Sequence, residues 1–193
     1  MLSPSLLRDL RYTMIPHQLR GVAAGLAALD LEARHDGAHP LQLRADGNAV
    51  QYDTLLGYTR PVACVAAIHC RALLRFLGLE GDGDAALRAI EAHQRHYGDA
   101  GTMSDARDVS IDVFKDAHGS PLTRVPLCAV ERYPEPRAVA RAWAATCDFA
   151  AQPLALALRD PRLASGQMAP LLRRTFETLP ELLERWFYER AVL

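Results

Sequence analysis

The hydrophobic positions of this chain crowd most tightly between Val50 and Leu79, in VQYDTLLGYTRPVACVAAIHCRALLRFLGL. From Val62 onward the apolar side chains fall on almost every face of a helix, the pattern of one sheathed by others in the middle of a bundle. The pattern predicts a long, largely buried helix here, broken at Pro61 if anywhere. His69, Arg71 and Arg75 are the polar side chains of its second half. Burying such groups costs free energy unless they are paired, so they are the first candidates for a site.

Weaker periodicities fill in the rest. Ser3 or Ser5 can cap a short first helix, and Pro16 suits the first turn of a second. Leu19, Val22, Ala23, Leu26, Leu29 and Leu31 carry that second helix to Arg34. Gly21 and Gly25, four apart on it, point to a close helix–helix approach. HDGAHPLQLRADGN then reads as a loop, with Leu41 to Arg44 its only strand-like piece. Gly78 ends the central helix. Asp84 is placed to cap a helix in AALRAIEAHQRHYG, and Thr102 or Ser104 to cap another in SDARDVSIDVFKDAHG. The proline-rich SPLTRVPLCAVERYPEP reads as loop, with an extended piece at Leu127 to Val130. A helix from Pro136 to about Leu158 meets Pro153, and a last one runs from Gln167 to Val192 with a restart at Pro180. Six or seven helices joined by short connections predict an all-α fold: one domain, residues 1–193, built as a helical bundle.

Composition narrows the function classes. The hydrophobic share of 50% and charged share of 23% are those of a globular protein, and a net charge of −1 gives no broad electrostatic grip on nucleic acid or anionic membrane. Lys115 is the single lysine. The arginine bias reflects either GC-rich codons or a use for bidentate contacts with phosphate and carboxylate. Cys64, Cys70, Cys128 and Cys147 show no CxxC spacing, and the opening MLSPSLLRDLRYTMI has arginines where a signal peptide would be apolar. A cytoplasmic protein with reduced thiols is expected. One histidine and two arginines between Val62 and Leu79 are too costly for a lipid-facing span, so no membrane role is expected.

Several polar groups could carry chemistry. His93 and His96, near Glu91, and His35 and His39, around Asp36, could each give a metal two ligands. Neither set has a third ligand or an HExxH signature, so solvent-facing histidines are the favoured reading and no metal or cofactor is assigned. Asp105, Asp108, Asp112 and Asp116 would share one face of a helix. That face is read as solvated, with Asp108 or Asp112 as the alternative partner of a buried Arg71. No Ser-His-Asp order, P-loop or GxGxxG occurs.

The run AIHCRALLRFLGL, then RDVSIDVF, then CDFAAQPLALAL before a long terminal helix resembles bacterial HEPN-like helical proteins over roughly residues 50 to 190. His69 and Arg71 match that group's leucine-histidine-x-arginine element; Asp108, Val109 and Phe114 match its aspartate-valine element. The late asparagine and histidine are replaced by Ala151 and Leu156, and Arg75 stands where an aspartate is usual. The resemblance implies an all-α bundle, often dimeric, and in many members an RNase site made of an arginine and a histidine four to six residues apart. Arg88 and His93 have that spacing. Proton transfer needs a group titrating near neutral pH, and the late histidine is missing. The expectation is therefore a HEPN-like interaction protein, RNA-associated or part of a defence or toxin–antitoxin system, without a complete nuclease site. The alternatives are a metal-independent RNase using Arg88 with His93 or Arg71 with His69, and a bundle that holds a small ligand or metal. The final helix carries more large apolar residues than one buried stripe requires, which predicts a homodimer with Trp186 or Phe187 at its surface.

Overall fold

A computed structural model describes residues 2–84, 86–90, 109–152 and 154–193. They are mostly helical, with two small two-stranded sheets. Ser3 caps α1 (Pro4–Asp9) by accepting from the Leu6 N–H at 3.3 Å. A π turn (Leu10–Met14) carries the chain without a break into α2 (Ile15–Arg34). α2 runs antiparallel to α3 (Leu55–Leu77), since Gly21 faces His69, Gly25 faces Ala66, and the Glu32 carboxylate accepts from the Thr59 hydroxyl. The two glycines bring the helices together as expected. A Cβ on Gly25 would sit 2.8 Å from Phe176 Cε2 and closer still to Ala66 Cβ.

The segment before α3 is an antiparallel hairpin, β1 (Leu41–Ala45) with β2 (Asn48–Tyr52), rather than a loop. Asp46 and Gly47 at its tip have φ of 49° and 81°, the left-handed pair that a two-residue type I′ turn needs and that Asp-Gly favours. The central helix therefore begins at Leu55, capped by Thr54, whose hydroxyl accepts from Gly57 N–H at 3.0 Å. It passes through the exposed Pro61 without ending and stops at Gly78, with φ of 92°.

The chain then turns back in a second hairpin, β3 (Leu79–Gly81) with β4 (Leu87–Ala89). A helix from Asp84 was the expectation here. Gly78 ends helical bonding, and Asp82 instead accepts from the N–H groups of Asp84 and Ala86, which closes a turn. After residues 91–108, the expected aspartate-rich helix is absent from its described part. Only a 3₁₀ turn (Ile111–Val113) forms, and Asp116 caps a tight turn by accepting from His118 and Ser120 N–H. The proline-rich stretch holds a second 3₁₀ turn (Leu127–Arg132), not an extended piece, because proline cannot serve a strand ladder.

α4 (Pro136–Ala150) packs antiparallel on α7 (Ala169–Leu183), with the short α5 (Leu154–Ala157) and α6 (Pro161–Ala164) between them. Trp143 Nε1 donates to Thr178 at 2.8 Å, and the hydroxyls of Thr146 and Thr175 meet at 2.8 Å. α7 runs through Pro180 into a π turn (Glu184–Tyr188). One continuous hydrophobic cluster joins α2, α3, α4 and α7. Its far end is an aromatic knot of Phe76, Phe114 and Phe187, with ring centroids 4.8 to 6.1 Å apart. Arg11 closes that end by donating to the carbonyls of Tyr188, at 3.2 Å, and Ala191. The Tyr188 carbonyl is one that a helix terminus leaves open.

Two expectations about exposure change. α3 is not covered on every side: Pro61, Val65, Ile68 and Ala72 form an exposed stripe, with Val65 and Ile68 each 43% accessible. Conversely, the terminal helix has no spare apolar face. Leu172, Phe176, Leu179, Leu182, Leu183 and Phe187 are all buried, and Trp186 is half-buried. No helix among the described residues is long and apolar enough to cross a membrane.

Candidate functional site

Three polar clusters come from the residues singled out above. The first lies where α3 ends. Glu80 on β3 is held between two guanidiniums: Arg75 donates at 2.9 Å and Arg88, from β4, at 2.7 Å. Glu80 is only 13% exposed, and these contacts tie the hairpin to the helix. Arg88 thus sits on a strand rather than a helix, so its sequence spacing to His93 no longer implies a shared face. His93, His96, Asp105 and Asp108 lie outside the described residues. Arg71 is half-buried and close enough to Cys147 to draw on its thiol electrostatically. Among the described contacts Asp112 lies beside Arg124, whose Nε is 4.0 Å away, and no pair with Arg71 occurs. The 3₁₀ turn replaces the helix that would have aimed Asp112 at α3.

His69 forms the second cluster. Two residues on a helix diverge by about 200°, so His69 faces α2 while Arg71 faces away, and the two do not converge. His69 Nδ1 is hydrogen-bonded to the Gln18 amide oxygen, and its ring meets that of His17 edge-on at 5.9 Å. Burial, and then the neighbouring His17, hold the His69 imidazole below its usual pKa. It is neutral at pH 7, and Nδ1 carries the proton that Gln18 accepts. A neutral histidine with no arginine beside it among the described residues is poorly placed to move a proton on a phosphodiester.

His35 and His39 stay on the surface. His39 lies 3.6 Å from Asp36, both well exposed, and no group of three metal-ligating side chains occurs among the described residues.

The third cluster was not a site candidate in the sequence. A surface pocket of about 510 Å³ is lined by Arg132, Arg185, Trp186, Glu189 and Arg190. The π turn supplies Arg185 and the half-buried Trp186, while the next residue, Phe187, goes into the core. Such single π turns are frequent at functional sites. Arg132 comes from the end of the Leu127–Arg132 turn, more than fifty positions earlier in the chain. The Arg190 guanidinium lies 5.0 Å over the Trp186 ring and touches the Thr123 hydroxyl at 3.5 Å. Arg185 is held by Glu181 one turn back, at 2.8 Å. Arg132 is exposed and makes no hydrogen bond or ion pair among the described residues. Three guanidiniums and one carboxylate leave the lining with two net positive charges beside a flat aromatic face. That is the donor set for an anion carried on a planar group. Arg132 and the π-turn residues are too far apart in sequence for any spacing rule to join them.

Comparison with family models, with curated proteins and with solved structures finds no match for this chain.

Proposed function

We propose that this protein is a HEPN-like helical interaction protein that associates with RNA by binding it rather than cutting it. One observation carries the reading: the pocket at which the arginines gather is lined by an aromatic side chain and, among the described residues, by no histidine. Arginine can hold a phosphate, but cleavage without a metal also needs a group that gives and takes a proton near neutral pH. The two histidines that do meet, His17 and His69, have Gln18 for company instead of an arginine. The predominantly helical architecture agrees with a HEPN-like bundle, and the four free thiols suit a reducing cytoplasm.

A second copy of the chain is the proposed protein partner. Its surface is the stripe of Pro61, Val65, Ile68 and Ala72, since an apolar helix face left in water favours self-association. The test of the RNA reading is incubation of purified protein with a labelled single-stranded RNA, with and without a chelator. Intact RNA that comigrates with protein supports binding without cleavage. Degradation that His69→Gln or His93→Gln abolishes would overturn it in favour of a metal-independent RNase.

A further inference from the structure

We infer that the pocket between the Leu127–Arg132 turn and the terminal π turn binds one nucleoside phosphate unit, with the base on Trp186 and the phosphate among Arg132, Arg185 and Arg190. The inference rests on the RNA-binding reading for its biological setting, but its geometry stands on the pocket alone.

A volume of about 510 Å³ lies within the range of small-ligand sites. Trp186 offers the one aromatic face in the lining, and bases stack on such faces whatever their sequence. Arg190 now occupies that face at 5.0 Å, meets Thr123 at the 3.5 Å limit of a hydrogen bond, and lies within electrostatic reach of the Asp116 carboxylate. A base can displace the guanidinium from the ring while the attraction of Asp116 is kept. A base takes its place over the indole, and the freed Arg190 turns to the phosphate. Arg132 has nothing to give up, because no partner among the described residues holds it. Arg185 can donate a second N–H while it keeps Glu181.

Glu189 is the acidic member of the lining. It would repel a purely acidic ligand but can accept a hydrogen bond from the ribose 2′-hydroxyl, the group that distinguishes RNA from DNA. An acidic peptide is therefore disfavoured and a ribonucleotide favoured. A chain net charge of −1 points the same way, toward one local phosphate site rather than a long electrostatic track.

The sequence holds two tryptophans, and Trp143 is fully buried. A ligand stacking at the pocket therefore quenches Trp186 alone, and intrinsic fluorescence reads the site directly. The protein is titrated with AMP, with dAMP, with a short oligoribonucleotide and with an acidic peptide. AMP and the oligoribonucleotide are expected to quench saturably, dAMP more weakly, and the peptide not at all. Arg132→Ala, at an exposed and unpartnered position, should weaken AMP binding roughly tenfold or more, the worth of a charge-assisted hydrogen bond. Trp186→Phe should retain binding by calorimetry, while Trp186→Ala, still folded by circular dichroism, should lose about tenfold. Quenching by AMP but not by the oligoribonucleotide keeps the site and removes the RNA role, leaving a free nucleotide as its ligand. Binding of the oligoribonucleotide that ignores Arg132→Ala and Trp186→Ala keeps the RNA role and overturns this site. Absence of AMP quenching, or quenching by the acidic peptide at equal strength, also overturns it.

Discussion

Gly25→Ala tests how closely the helices that carry the histidine cluster approach one another. In an open helix interior the change is favourable by about 0.8–1.0 kcal/mol, because alanine loses less backbone entropy than glycine. Here the added methyl would meet Ala66 Cβ on α3 well inside contact distance, and Phe176 Cε2 on α7 at 2.8 Å. Ala66 is fully buried and Phe176 is 1% exposed, so neither can step aside into solvent. α2 must instead lift from both neighbours. Overpacking of this kind costs typically 1–3 kcal/mol, and a junction of three helices belongs at the upper end. After the propensity gain, a net loss of about 2 kcal/mol remains. For a chain of this size that corresponds to about 4–8 °C in melting temperature. Calorimetric melts of wild type and variant read it, with the exposed Gly57→Ala as control, where the nearest atom, Thr54 Oγ1, is 3.3 Å away. The control should melt within a degree or two of wild type. A Gly25→Ala protein that melts higher than wild type would refute the close approach, and with it the placement of His69 against Gly21.

Burial and His17 lower the pKa of His69, so its neutral form contributes stability above the unfolded value near 6.5 and that contribution is lost as the pH falls through this range. Between pH 7.5 and 5.5 the wild-type melting temperature should fall more than that of His69→Gln, and equal slopes would contradict the assignment. Burial pushes the thiols of Cys64 and Cys147 up to about 11 and about 12 and that of Cys70 upward as well, whereas Cys128 is exposed. A disulfide reagent should therefore titrate one thiol rapidly in native protein and four after denaturation; two or more fast equivalents would show that α3 or α4 opens. If the α3 stripe pairs two copies, light scattering gives twice 21.2 kDa and Ile68→Glu halves it without a change in circular dichroism, while a monomeric wild type ends the dimer proposal.

Most of the helices were legible because each writes a local code: Ser3 at an N-cap, Gly78 at a C-cap, and apolar residues at helical spacing through α2, α3, α4 and α7, whereas the Thr54 cap that starts α3 went unread. The first hairpin was legible too, in Asp46-Gly47 flanked by Leu41, Leu43 and Val50, but the neighbouring glycine and proline made it read as a loop. The second hairpin was not. AALRAI has helix-forming residues, and long-range ties hold its Leu87–Ala89 part as a strand, among them Glu80 to Arg75 and Arg88, Asp148 Oδ1 accepting from Gly83 N–H at 3.2 Å, and Ile90 N–H donating to the Gly78 carbonyl at 2.8 Å. Tertiary contacts overrode propensity there. The same limit applied to the site. His69 could be picked out as a polar group in an apolar helix, but its partners Gln18 and His17 lie about fifty residues away. Trp186 and Phe187 looked alike in sequence, and which of the two enters the core and which lines the pocket depends on how the terminal segment packs, which no local pattern states. The basic pocket needed Arg132 brought in from a distant turn.

The central claim is that this protein binds RNA and leaves it whole. It is tested most directly by following the fluorescence anisotropy of a short end-labelled single-stranded RNA after addition of the protein. Binding without cleavage predicts a rise to a plateau that holds for hours. A rise followed by decay below the value of free RNA would reveal a nuclease, and no rise at all would show that RNA is not the partner.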